Sequence, residues 1–264
     1  MTKNNRILVL RANNLRHRAL GAHLRKSGFD VFEVVQDKKS ETKQIESDLI
    51  REHFNRRRTI EEETFASLVC DDLVERELLK VQDMNHISTI SLCQSIDPRQ
   101  IVVFGTPILM NDWLEFFHKK ILGIHLGLSP YYRGSGTNFF PFVNNELGAV
   151  GFTLMSLDKG VDTGPIVHQK RAQFQNEDDI HTVGNRLILA MFEDIAKILE
   201  KEVDLESALP QPRFDSRYYK KKDFTEETLA VALKNLSLGA VAHYIDKMSE
   251  ENSKFPLLRN LELI

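Results

Sequence analysis

The chain has 264 residues, 42% hydrophobic and 28% charged, which suits a globular protein with one sizeable core, or a large domain carrying a small appendage. A net charge of −3 sets up no general attraction for nucleic acid or anionic membrane, and no apolar run approaches the roughly 20 residues that cross a bilayer. The polar start from Met1 to Asn5 does not read as a signal peptide, and two cysteines, Cys70 and Cys93, without histidines at ligand spacing predict neither a disulfide framework nor a metal site, so a cytoplasmic location is expected.

Short apolar runs alternate with helical patterns, which predicts an α/β fold with a Rossmann-like, mostly parallel sheet and helices on both faces. Arg6 to Leu10, a basic helix from Asn14 to Ser27 ending at Gly28, and Val31 to Val35 form a βαβ start. Residues 43–81 read as a charged helical insertion, with Ile45, Leu49, Ile50, Phe54, Phe65, Leu68, Val69, Leu73 and Leu79 near helical spacing. Thr59 and Glu62 have the spacing of a capping box, so a second helix is expected to start there. Arg56, Arg57 and Arg58 beside Glu61, Glu62 and Glu63 read as a solvated face with intrahelical ion pairs, or as a binding patch. His86 to Ile90, Ile101 to Phe104 and Ile121 to Leu126 read as further strand-like runs. Val150 to Leu157 and Ile166 to Gln169 follow as strands around the turn at Asp158-Lys159-Gly160 and the loop at Asp162. An amphipathic helix runs from about Asp179 to Glu202, on Ile180, Val183, Leu187, Met191, Ile195 and Leu199. Residues 1–207 are expected to form the main domain. Residues 208–264, entered through Pro210 and Pro212, form a mainly helical appendage with Thr225 capping one helix and Gly239 stopping it.

Ligands of open parallel sheets bind at the carboxyl ends of strands. His125 ends one run and is followed by a loop, residues 127–136, with three glycines, a proline and an arginine; Asp162 lies in a second glycine-flanked loop. A carboxylate can orient an imidazole and stabilise its charged form, which is a proton-transfer device. Spacing alone leaves His125 open between a structural strand-end residue and an acid–base group, and Asp162 between a turn-former and its partner.

The residues themselves carry a resemblance. Ile124-His125, Leu128-Ser129-Pro130-Tyr131-Tyr132-Arg133-Gly134, Gly151-Phe152-Thr153 and Gly160-Val161-Asp162-Thr163-Gly164-Pro165-Ile166 closely resemble the formyltransferases that use 10-formyltetrahydrofolate. That group includes the glycinamide ribonucleotide, methionyl-tRNA and nucleotide-sugar formyltransferases. The likeness is most specific over residues 100–175, and the segments around Lys222-Asp223-Phe224-Thr225 and Asn235-Leu236 are similar to the tail of small formyltransferase-like proteins. The resemblance implies His125 and Asp162 as two members of an Asn–His–Asp triad. It places the pterin of the donor against backbone at Ile108 and Leu109 and the loop from Asp158 to Asp162. It makes the acceptor a primary amine of a small molecule, such as a nucleotide-linked amino sugar, in a protein that is a monomer or a homodimer.

The triad's Asn belongs two residues before the His, where this chain has Gly123; Leu126 replaces the usual Pro after the His, and Met155 stands where many members have a His. Formyl transfer creates a tetrahedral oxyanion, and a donor at that oxygen contributes about 3–4 kcal/mol in other acyl-transfer sites. Glycine offers none, so another group or a water replaces it, or the protein is a catalytically impaired binding or regulatory member. Asn138 is a candidate substitute, or else a cap or turn residue. Arg133 reads equally as a bidentate contact to an anionic substrate group or as a loop tether. The first strand is followed by Arg11-Ala12-Asn13-Asn14-Leu15-Arg16-His17, with no glycine to cradle a phosphate, which speaks against glycinamide ribonucleotide and against an unrelated dinucleotide-binding protein. Arg11, Arg16 and His17 are expected either to grip a substrate or to form an exposed basic helix start. The short tail has no basic barrel-like domain for a tRNA acceptor.

Overall fold

Most of the apolar runs become strands, and their order decides where loops can meet. The computed structural model describes residues 4–36, 47–70 and 78–262; Ile45 and Leu73 of the expected helical stretch lie outside them. β1 (Arg6–Arg11), α1 (Leu15–Lys26) and β2 (Asp30–Gln36) form the βαβ start. They are followed by α2 (Asp48–Cys70), β3 (Leu78–Val81), α3 (Ile87–Ile96), β4 (Gln100–Phe104), α4 (Asn111–Phe116) and β5 (Ile121–His125). β6 (Tyr132–Gly134) and α5 (Phe140–Val143) lead to β7 (Gly151–Ser156), β8 (Ile166–Arg171) and α6 (Ile180–Glu200). The chain closes with β9 (Arg217–Tyr219), α7 (Glu226–Ser237), α8 (Ala240–Asp246) and α9 (Met248–Ser253).

Among the described residues seven strands form one sheet in the order β3-β2-β1-β4-β5-β7-β8. The first five run parallel, and β7 is antiparallel to both β5 and β8. Alternate residues of a strand point to opposite faces. Ile7 and Val9 accordingly enter one core with Ala19, Leu20 and Leu24 of α1, Phe65 of α2, and Leu187, Met191 and Ile195 of α6. Leu8 and Leu10 enter the other with Ile90 and Cys93 of α3 and Trp113 of α4. Helices on both faces explain why the strands read as near-continuous apolar runs, and each fully buried Leu or Ile contributes about 1.5–3 kcal/mol. The strand order reverses between β1 and β4, so the loops after these strands open a crevice beside β5.

Three elements differ from the sequence-based expectation. Thr59 starts no second helix: α2 is continuous, and the Thr59 hydroxyl donates to the Asn55 carbonyl one turn back, 3.3 Å away. His86 to Ile90 is not a strand; His86 caps α3, its Nδ1 accepting from the Ser88 amide. A five-residue apolar run cannot separate buried helix from strand by period alone. The strand of that region is β3, which takes Leu79 out of the helical pattern. The arginine-rich stretch is also only partly intrahelical, since Arg57 pairs with Glu61 at 2.8 Å but Arg56 reaches Asp179 at the start of α6, 3.1 Å away.

The tail is stitched into the main body. Leu229, Ala232, Ala240, Val241 and Tyr244 join the first core. The buried His168 ring accepts the Leu261 amide at Nδ1 and therefore donates from Nε2 to Asp194, 3.1 Å away. Asp179 and Thr182 close a capping box on α6, and Thr225 and Thr228 close another on α7.

The rings of His53 of α2 and His181 of α6 meet at a tilt of 51°, centroids 4.5 Å apart. Burial pushes both rings down to about 4; Arg57 lowers both and His181 lowers His53, while Asp179 opposes. The unfolded chain binds these protons near pH 6.5 and the folded chain near pH 4, so stability falls as pH drops through that window. Urea midpoints measured at points between neutrality and pH 5 are expected to decline, and His53→Gln with His181→Gln is expected to flatten that decline. An unchanged slope in the double variant refutes the assignment.

Candidate active site

His125 ends β5, with its ring only 5% exposed. Its Nε2 lies 2.9 Å from the Tyr132 carbonyl, which can only accept, so that nitrogen carries a hydrogen. Its Nδ1 faces Asp162 Oδ1 at 3.3 Å. Gly127 makes room for the ring: a Cβ there would stand 2.6 Å from His125 Nε2 and 2.7 Å from Thr137 Oγ1.

Asp162 reaches His125 by an indirect path. Because β7 runs antiparallel to β5, its end lies beside the start of β5, where Leu157 N–H donates to the Ile121 carbonyl at 3.3 Å. The loop from Asp158 then doubles back along the sheet to bring Asp162 to the far end of β5. Asp162 adopts a left-handed φ of 55°, a turn conformation that Asp tolerates. Its two sequence readings therefore coexist: it shapes a turn and faces the imidazole. Its Oδ2 accepts the Gly134 amide at 2.9 Å. Burial works to raise this carboxyl, but the hydrogen bond and charge of His125, the Gly134 amide and the charge of Arg133 outweigh burial and hold it below the usual carboxylate range.

The loop is tied from several sides. Arg133 donates from Nε (3.2 Å) and Nη2 (2.7 Å) to the Val161 carbonyl, so the structure places it as a tether. Asp158 accepts the Gly160 amide at 3.0 Å and the Thr163 hydroxyl at 2.8 Å, closing the turn. Gly164 lies so close to the Ser156 carbonyl that a Cβ would fall on it.

Two features of the tail complete the site, and motif reading missed both. Gln211, between Pro210 and Pro212, donates from Nε2 to the carbonyls of Asp162 (3.0 Å) and Gly164 (2.7 Å). β9 pairs in parallel with β6, the segment that supplies the Tyr132 carbonyl and the Gly134 amide, and Tyr219 stacks on Phe140 with centroids 3.6 Å apart. No local pattern in the tail announces these contacts, because they depend on where it docks.

The other sequence candidates lie as follows. Ile108 is 71% exposed on the loop after β4. Asn85 brackets that loop, donating to the Ile108 carbonyl at 3.0 Å and accepting the Met110 amide at 2.9 Å, while Leu109 packs against the second core. Asn138 accepts the Gly151 amide at 3.0 Å, fastening the start of β7. The expectation for the first loop is corrected. Arg11 is buried in an ion pair with Glu33, which also meets Arg25, and Arg16 pairs with Glu61 at 3.1 Å. Burial and the charge of Arg57 push Arg16 down to about 10. His17 packs on Phe104, centroids 4.3 Å apart. Arg11 and His17 are buried and Arg16 is half-buried, so they do not form an exposed basic helix start, and both arginines are paired within the fold.

The space beside Gly123 does not hold a water-sized gap either. A Cβ at Gly123 would fall on Leu157 Cδ2 and stand 3.2 Å from Leu157 Cγ. Leucine fills the position that a longer side chain would take.

A model of the formyl transferase family matches residues 6–195, most of the chain. A methionyl-tRNA formyltransferase from Thermodesulfovibrio yellowstonii is 32% identical over 123 residues, which cover 46% of this chain and 39% of that protein. The chain thus spans less than half the length of the curated relatives it matches first, 39%, 31% and 42% of them. Among solved structures, a 4-N formyltransferase from Francisella tularensis aligns with a TM-score of 0.55 at 14% identity, covering 87% of each chain. An N-formyltransferase from Helicobacter canadensis, solved with folinic acid and dTDP-3-aminofucose, aligns with a TM-score of 0.54 at 15% identity, covering 86% of this chain and 79% of that one. At such identities the structures share a fold; together with the family match over residues 6–195, they make this chain a member of the formyl transferase family.

Proposed function

We propose that this chain transfers a formyl group from 10-formyltetrahydrofolate to the primary amine of a small molecule, a nucleotide-linked amino sugar being the acceptor class we favour. The observation that carries the reading is the buried His125–Asp162 contact at 3.3 Å, with the carboxyl held ionised, in a chain of this family. The Helicobacter canadensis neighbour, solved with an amino sugar nucleotide, supports the acceptor class. The exposed apolar surface of Ile108 and Met110 at the β4 end of the crevice suits the face of a flat ring, and Leu109 and the loop at Asp158 complete the folate contact in this reading.

The donor supplies an activated formyl carbon: the amine nitrogen adds to that carbon, the carbonyl oxygen takes up the negative charge, and the adduct then expels the folate nitrogen. The attacking amine must lose a proton and the departing nitrogen must gain one. Asp162 orients the imidazole, His125 gives a ring proton to the departing nitrogen, and the amine's proton then replaces it on the ring, ending the cycle as it began. Ligation of a substrate at His125 requires the ring to exchange one of its internal partners, Tyr132 or Asp162. The opposing reading, a binding or regulatory protein without turnover, is favoured by one observation, the leucine beside Gly123.

Incubation with 10-formyltetrahydrofolate and a panel of nucleotide-linked amino sugars, dTDP-3-aminofucose among them, is expected to yield a product heavier by one formyl group. His125→Ala and Asp162→Asn are each expected to reduce the rate about 10²–10⁴-fold. Folinic acid binding without product from any amine supports the binding-protein reading instead. Gln211→Leu removes both donors to the Asp162 loop, and is expected to cost about 1–3 kcal/mol in urea unfolding and to lower kcat more than it alters the KM for folate. Wild-type kcat in this variant rules out a role for Gln211 in holding Asp162.

A further inference from the structure

Gly123 and His125 stand two residues apart on β5, so both face the same side of the sheet. Nothing in the backbone requires glycine at 123, because the residue is in regular strand without a left-handed φ. What excludes a side chain is the packing opposite. Gly123 pairs across the antiparallel ladder with Met155, and Leu157 follows two residues later on the same face. A Cβ at 123 would meet Leu157 Cδ2 and Cγ first and then Met155 Cγ at 3.6 Å. Met155 is 2% exposed, and Leu157 packs against the second core. Residues 123, 155 and 157 therefore form one apolar patch, and two of them are positions where the family likeness leads one to expect polar groups.

Close-packed interiors do not hold two side chains in one volume. Leu157 also opens the loop that carries Asp162, so its packing links the patch to the acid–base pair. Resting on the formyl-transfer reading, we infer that Gly123 and Leu157 are a single exchanged unit: Leu157 occupies the place of the side-chain donor on β5 and sets the transfer rate, and a donor is accepted at 123 only when residue 157 is cut back with it. An asparagine at 123, with the leucine cut back, would bring an N–H donor to the face of β5 that carries His125. In acyl-transfer sites one such donor changes the rate about 10²–10³-fold.

The test is a cycle of four proteins: wild type, Gly123→Asn, Leu157→Ala, and both together. Thermal unfolding reports whether the two residues share space, independently of any activity. Each single change is expected to lower Tm, one by crowding and the other by a cavity, and the double is expected to recover part of both losses. Single-turnover transfer from 10-formyltetrahydrofolate to hydroxylamine, a small amine that needs no acceptor pocket, is expected to rise about 10²–10³-fold in the double variant. Each single variant should stay within about tenfold of wild type. The gain should fall on kcat, with folinic acid affinity unchanged, which a merely structural role for residue 157 would not produce. Equal gains from Gly123→Asn alone overturn the inference, because Leu157 would then have moved aside. A double variant no faster than wild type, while Tm recovers, also overturns it. Loss of folinic acid binding in the wild type would instead strike the underlying reading, and the unit proposed here would fall with it.

Discussion

A single carboxylate holds the candidate site of this molecule together. One oxygen of Asp162 faces the His125 imidazole, the other receives the Gly134 amide, and the backbone carbonyl of the same residue is held by Gln211. The end of β5, the β6 segment, the β7–β8 loop and the tail thus meet at one residue. A buried charge without such partners is costly, and here burial alone would favour the neutral acid. The partners prevail, so the contacts that fix the loops also keep the carboxyl ionised.

The same economy explains the first strand's loop. Its cations could have met an anionic ligand, but Arg11 and Arg25 converge on Glu33 and Arg16 on Glu61. Glu33 itself lies against Gly21, where any Cβ would stand 2.5 Å from its Oε1. The charges at the switch point are therefore fasteners between α1, α2, β1 and β2.

Sequence reading was most successful where a local rule governs the outcome. The runs of β1, β2, β4 and β5 were visible because burial on both faces demands continuous apolar residues, and α6 and α7 because a stripe and a cap mark them. His125 and Asp162 were legible as candidates from their position and the motif likeness. What escaped depended on tertiary placement. His86 caps a helix because of where α3 packs, Thr59 satisfies its hydroxyl inside a helix, and nothing local to Gln211 reveals that it reaches Asp162, 49 positions earlier in the chain. The glycine at 123 was conspicuous, but only the structure reveals the leucine that accompanies it.

The parallel pairing of β6 with β9 joins residues 132–134 to 217–219. Since chains emerge from the ribosome N-terminus first and fold as they go, the seven-stranded sheet can be complete while the segment around Tyr132 still lacks its neighbour strand and Asp162 lacks Gln211. The tail also supplies Leu229, Ala232, Ala240, Val241 and Tyr244 to the first core, so one late stretch of chain closes both the core and the loop around Asp162.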